Sequence, residues 1–235
     1  MTNQGATDQT SGRVRTLPPP ESWAGKPAYI VGGGPSLKTF DWNTLKDRPH
    51  VCVLNMAYVE VPTAELWFTE DLRGIERIYA VPELKEQWER FQGLKVFHSL
   101  SPRFGEIAKE LDPSITLVHR RRDDKFWSKD WDKDGLALSS NSMVGLLNIV
   151  DILGAEPIYI LGLDCNPTGG KLRHYHEGRY PDVRDWVTGD QQYVSFKSDF
   201  EHWVAPHLRH REIINLNPTS AVDCWPKKDW REVLK

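Results

Sequence analysis

The chain has 235 residues, 39% hydrophobic and 11% aromatic, with a formal charge of −3, which is enough for one sizeable core. That balance gives no global attraction to nucleic acid or an anionic membrane. Three scattered cysteines (Cys52, Cys165, Cys224) exclude a disulfide scaffold, and no segment has the apolar length of a membrane span, so a reducing, cytoplasmic setting without a membrane partner is expected.

Met1 to Arg15 is polar and lacks an apolar signal core. With the stiff Leu17-Pro18-Pro19-Pro20 it reads as a flexible tail over residues 1–20, leading into one domain over residues 21–235. Val31 and its predecessors predict a first buried strand, broken by Gly32-Gly33-Gly34-Pro35-Ser36. Asp41 to Leu45 predicts a short helical turn. His50 to Asn55 predicts a second strand with a polar end, and Glu65 to Thr69 a third. Pro82 to Phe91 predicts a helix with proline in its first turn. Leu94 to Phe97 and Ile115 to Val118 are two more expected strands.

Arg120 to Gly135 is charged and aromatic without a period, and reads as a loop or lid. Its basic cluster Arg120-Arg121-Arg122 is offset by Asp123-Asp124. Ser139-Ser140-Asn141-Ser142 offers helix caps, Met143, Leu146, Leu147 and Val150 recur at helical spacing, and Gly154 marks the stop. Pro157 to Leu161 predicts a strand ending at Gly162-Leu163-Asp164. Residues 166–190 form a second long loop of the kind that is usually functional. Gln191 to Trp203 predicts a helix, Ile213 to Leu216 a last strand, and Lys227 to Leu234 a terminal helix. Strands alternating with helices give an α/β fold, a mostly parallel sheet flanked by helices, with a lid of long loops at the carboxyl ends of the strands.

The glycine cluster carries the chemistry. Glycines at a strand end let a ligand approach main-chain N–H groups, and in an α/β sheet that ligand is often a phosphate. Two common templates fail. The phosphate loop needs Gly-Lys-Ser/Thr, whereas Gly34-Pro35-Ser36 stands here. The dinucleotide fingerprint needs a third glycine where Leu37 stands, and an acid where Asn55 stands. A nucleotide or nucleotide-activated donor is therefore expected, but not NAD.

Three landmarks in order carry a resemblance. They are Val31-Gly32-Gly33-Gly34-Pro35-Ser36-Leu37-Lys38, Asn55 closing the second strand, and Ser139-Ser140-Asn141 before Ile158-Tyr159-Ile160-Leu161-Gly162-Leu163-Asp164. Over residues 27–222 this pattern resembles the small single-domain bacterial sialyltransferases. It also resembles a broader family of phage and flagellin-modification proteins that includes hydroxymethylpterin pyrophosphokinase-like enzymes. The resemblance implies a Rossmann-like glycosyltransferase that uses a CMP- or UDP-linked sugar, with no cofactor and no metal required. It implies donor binding by Gly32, Gly33, Gly34, Pro35, Ser36, Asn55, Ser139, Ser140 and Asn141. It places Asp164, His174, Tyr175 and His176 in the catalytic set, with a histidine of the His-Tyr loop as general base. In extended backbone His174 and His176 would face opposite ways, so one of them is expected to be the base.

The departures from that pattern are Gly33, where the family commonly has asparagine, Ala137, where an arginine can precede the serine turn, and the lack of a closely spaced tyrosine pair just after Asp164, since Tyr175 and Tyr180 lie farther on. They leave the donor sugar open, and the acceptor is equally open among a glycan, a protein, a small molecule and a modified nucleobase. A homo-oligomer is compatible with this reading. The alternatives are an ATP- and magnesium-dependent pyrophosphokinase, with Asp123, Asp124 and Asp164 on the metal, and a non-catalytic nucleotide-binding module.

Overall fold

Apolar residues run without alternation through AYIV, VCVL, LWFT and IYIL, the pattern of strands covered on both faces. The computed structural model describes residues 16–99, 101–119, 126–137, 139, 141–166, 174–179 and 190–235. Its strands are β1 (Ala28–Val31), β2 (Val51–Leu54), β3 (Leu66–Thr69), β4 (Leu94–Ser99), β5 (Thr116–His119), β6 (Ile158–Leu161) and β7 (Ile213–Asn215). They form one seven-stranded sheet in the order β5-β4-β3-β2-β1-β6-β7, and every neighbouring pair is parallel. The Rossmann-like α/β class expected from the sequence is the class observed.

The helices are α1 (Leu72–Ala80), α2 (Pro82–Arg90), α3 (Pro102–Leu111), α4 (Trp131–Asp134), α5 (Ser142–Ile152), α6 (Asp190–Asp199), α7 (Ala205–His207) and α8 (Trp230–Val233). Alternate strand residues feed two cores. Ala28 and Ile30 pack with α5 and with Phe200 and Val204 beyond α6. Tyr29 and Val31 pack with Ile75 and Ile78 of α1, Leu84 and Trp88 of α2, and Ala108 of α3. The chain leaves β1 for β2 on one side and returns through β6 on the other. The carboxyl ends of β1 and β6 therefore open a crevice at the point where the strand order reverses.

The expected strands are all present. Sequence patterning did not single out α1 and α3, although Asp71 and Ser101 cap them by accepting from Arg73 N–H and Phe104 N–H. The expected terminal helix shrinks to α8. Its first residues instead run beside β7, where Asn215 N–H donates to the Pro226 carbonyl and Lys228 N–H donates to the Asn215 carbonyl. The helix expected over 191–203 passes through a π turn at Phe200–Val204 into α7. Leu17 of the expected tail packs against the core. Residues 1–15, and the lid segments 120–125, 167–173 and 180–189, lie outside the described residues. No helix among the described residues is long and apolar enough to cross a membrane.

Helix α5 is buried on almost every side, and its polar residues fasten neighbouring chain. Asn148 Oδ1 accepts from Ala137 N–H at 2.8 Å, and its Nδ2 donates to the Ser128 carbonyl at 2.9 Å. Asp151 accepts from Trp127 Nε1 (2.8 Å), Lys129 Nζ (3.1 Å) and Arg211 Nε (2.8 Å), and lies 2.9 Å from His210 Nε2. Segment 126–137, which includes α4, is thus fixed to the helix that follows it. Asp112 does the same at the far edge, accepting from Trp88 Nε1 (2.7 Å), Lys95 Nζ (3.0 Å) and Ser114 Oγ (2.6 Å).

Burial alone would raise both carboxyls. At Asp151 the bonds from Arg211 and Trp127 and the Lys129 charge outweigh it, and at Asp112 the bonds from Ser114 and Lys95 do, so both pKa values fall below the ordinary range. Asp151→Asn is expected to cost about 3 kcal/mol in urea unfolding at neutral pH, because cations gathered there lose their counter-charge. With folded pKa values below unfolded ones, the stabilisation is complete above about pH 4 and is lost as pH falls through the folded values. The urea midpoint should drop on acidification below about pH 4, and less steeply in Asp151→Asn.

Candidate functional site

The turn after β1 is tied to the end of β6 before any ligand is considered. Gly32 N–H donates to the Leu161 carbonyl (2.8 Å) and Gly34 N–H to the Gly162 carbonyl (3.0 Å). Asp164 completes the tie. Its Oδ2 accepts from Ser36 N–H (2.8 Å), and its Oδ1 accepts from Ser36 Oγ (2.6 Å) and Asn217 Nδ2 (2.5 Å). A Cβ at Gly34 would stand 2.6 Å from the Asp164 carboxyl and 2.6 Å from the Gly162 carbonyl, so only glycine lets the two segments meet. Burial pushes the Asp164 carboxyl up, and the bonds from Ser36 and Asn217 counter it.

This corrects the simplest picture of the glycine turn as a row of free donors. The N–H groups of Gly32, Gly34 and Ser36 are spent on β6 and Asp164, and Pro35 has none. Among the described residues, Gly33 N–H is the amide of this run given no partner.

Across the crevice, Asn55 directly follows β2 with φ +49°, a left-handed conformation that asparagine tolerates. Its carbonyl accepts from Trp67 Nε1 at 2.7 Å, and its Oδ1 accepts from Thr69 Oγ1 at 2.6 Å. Thr69 Oγ1 in turn accepts from Asp71 N–H at 3.1 Å. The carboxamide oxygen is committed, and its NH2 group is what Asn55 offers a ligand.

The start of α5 forms the third wall. Asn141 caps it by accepting from Met143 N–H (2.9 Å), and Ser139 Oγ accepts from Asn141 N–H (3.0 Å). Ser139 and Asn141 therefore shape a helix N-terminus, which attracts anions. Ser140 lies outside the described residues.

The histidine segment closes the site. Tyr175 N–H donates to the Gly33 carbonyl at 3.1 Å, and a Cβ at Gly33 would stand 3.2 Å from His174 Nδ1. Gly33 thus lets His174 pack closely against the turn. Residues 174–179 are a turn rather than extended backbone, closed by Glu177 N–H to the His174 carbonyl (3.2 Å) and Arg179 N–H to the His176 carbonyl (3.0 Å). The two imidazoles consequently share a side, stacked with centroids 5.3 Å apart and planes 2° apart, instead of facing opposite ways. The Tyr175 ring leans on Trp42, and Arg179 pairs with Glu60.

These groups line one cavity of about 450 Å³. It contains Gly32, Gly33, Gly34, Pro35, Asn55, Ser139, Asn141, Asp164, His174, Tyr175 and His176. Ser36 stands just behind, on Asp164. Sequence reasoning missed Glu70 just after β3, Arg73 and Arg77 of α1, and Tyr193 and Phe196 of α6, which also line it. The rule that ligands collect beyond strand ends would have found Glu70, the first residue after β3. Cys165 lines the cavity too, but burial, and then the Asp164 charge, push its thiol up to about 12, so it offers no thiolate. No group of three or more metal-ligating side chains occurs among the described residues.

The crevice and sheet order define a Rossmann-like α/β protein. No family model and no curated protein matches the sequence. The fold is similar to that of a solved chain, the sialyltransferase CstII from Campylobacter jejuni, determined with the substrate analogue cytidine-5′-monophosphate. That similarity has a TM-score of 0.54 at 15% identity and covers 87% of this chain and 85% of that one.

Gly34→Ala is expected to force Asp164 off the turn and to lower the melting temperature by several degrees in a thermal-shift measurement. Gly74→Ala in α1 is the contrast. Its Cβ would come no nearer than 4.0 Å to Thr69 Oγ1, so the melting temperature should hold or rise.

Proposed function

We propose that this chain is a glycosyltransferase that moves a sugar from a CMP- or UDP-linked donor to an acceptor hydroxyl. The observation that carries the reading is the convergence of Gly33, Asn55, the start of α5 and His174 in one cavity at the reversal of strand order. The likeness of the fold to a sialyltransferase supports it.

In this reading the leaving phosphate faces Gly33 N–H, the Asn55 NH2 group and the first turn of α5 near Ser139 and Asn141. These are fixed donors, aimed where charge grows as the bond breaks. Asp164 and Ser36 hold the turn in shape. His174, against Gly33, takes the proton from the acceptor hydroxyl as that oxygen attacks the anomeric carbon. The bond from that carbon to the phosphate oxygen breaks, and its electron pair leaves with the nucleotide. Tyr175 fixes His174 through its backbone, and His176 backs the imidazole by stacking. Tyr193 and Phe196 offer faces for a base or a sugar ring. In this reading N–H donors, rather than a divalent cation, meet the phosphate.

His174→Ala should cut transfer and donor hydrolysis by about 10²-fold or more while nucleotide affinity changes little. His176→Ala should cost less. Turnover should survive chelator. Full activity in both variants would remove the histidine from the mechanism. Thermal stabilisation by ATP with magnesium, and by no CMP or UDP ligand, would replace this reading with pyrophosphoryl transfer.

A further inference from the structure

The cavity wall beyond Asn55 holds an arrangement that the transfer step does not use. Glu70 follows β3 directly and lines the cavity, with its side chain only 8% exposed. His98, at the end of β4 and with its side chain 0% exposed, places Nδ1 3.1 Å from Glu70 Oε1. Glu70 N–H donates to Ser142 Oγ at 3.2 Å. A Cβ at Gly145 would stand 2.6 Å from Glu70 Oε1, so the carboxylate rests on bare helix backbone. Residues from β4 and α5 are thus both shaped around one carboxylate. Burying such a charge is costly unless its bonds return the cost.

We propose that Glu70 is a specificity-determining contact that receives a hydrogen-bond-donating group, a hydroxyl or an amine, of the bound nucleotide sugar, with His98 as its positioning residue. The proposal rests on the nucleotide-sugar reading. A carboxyl oxygen facing the cavity accepts hydrogen bonds, so the ligand group proposed to meet it is a donor. Neighbouring strands lie about 4.8 Å apart, so the end of β3 stands roughly 10 Å from the turn after β1. A group on the far side of a ring attached to the phosphate spans that distance. Both the transferred sugar and the ribose or base carry such donors, and the experiment separates them. Thr69 couples this wall to the nucleotide side, because it fixes Asn55 one residue before Glu70.

The test is calorimetry on wild type, Glu70→Gln and Glu70→Ala, with CMP and UDP as parent nucleotides and CMP-N-acetylneuraminate, UDP-N-acetylglucosamine and UDP-glucose as their sugar conjugates. The expected result is that both variants lose about tenfold or more for the preferred ligand. A loss confined to the sugar conjugate assigns Glu70 to the sugar, and an equal loss for the parent nucleotide assigns it to the nucleoside. Each confirms the contact. His98→Gln should show the same ligand-selective loss in smaller measure, which a merely structural pair would not. Variants that melt lower but bind every ligand as wild type does overturn the proposal.

A second measurement needs no variant. Wild type is titrated with 2′-deoxy and 3′-deoxy forms of the preferred nucleotide and with conjugates whose sugar lacks one hydroxyl or amide at a time. One analogue should lose about tenfold. Equal binding of all of them overturns the proposal. Wild type that binds no CMP or UDP ligand sinks the nucleotide-sugar reading itself, and this proposal with it. Binding that is indifferent to Glu70 sinks this proposal alone.

Discussion

The Asp164 carboxylate holding Ser36 is the contact on which the rest of the crevice depends. A parallel sheet opens where its strand order reverses, because the chain leaves β1 and β6 in different directions. Left to themselves, the segments after those strands would splay. Asp164 closes the gap by accepting from the backbone and the hydroxyl of Ser36 while Asn217 braces it from beyond β7. Its buried position makes the charge expensive, and the three donors offset that expense. The turn is held in place by these bonds, and its Gly33 carbonyl accepts from Tyr175 N–H.

The other walls repeat the same logic of committed groups leaving one group over. Asn55 gives its oxygen to Thr69 and keeps its NH2. The first turn of α5 gives Met143 N–H to Asn141 and keeps its remaining field toward the crevice. A site built this way needs little rearrangement to receive an anion, which is the condition under which fixed dipoles are most effective. The sequence neighbours of these groups are irregular, yet α5 steadies them. Asn148 and Asp151, polar residues in a buried helix, grip segment 126–137 and hold the approach to Ser139 in place.

Much of this was legible beforehand. The strands could be read because burial on both faces leaves unbroken apolar runs, and the glycine turn and the caps of α5 could be read because their residue types have few other uses. Helix α1 was not read, although Leu72, Ile75 and Ile78 recur at helical spacing along its nine residues, and so Glu70, Arg73 and Arg77 were missed with it. The occupancy of the glycine amides was invisible for a different reason. Which N–H groups remain depends on β6 and Asp164, about 130 residues away in the chain. The stacking of His174 on His176 depends on a tight turn, and His-Tyr-His by itself does not distinguish a turn from extended chain.

Helix α5 presents the crevice with its polar start and hides an apolar body, Met143 to Ile152, that solvent hardly reaches. The same element therefore carries both a polar N-terminus at the crevice and a buried, largely apolar body. Any opening that loosens the crevice by freeing α5 also bares a segment prone to self-association. A ligand that bound the folded chain alone would draw the population away from any such opened form by mass action.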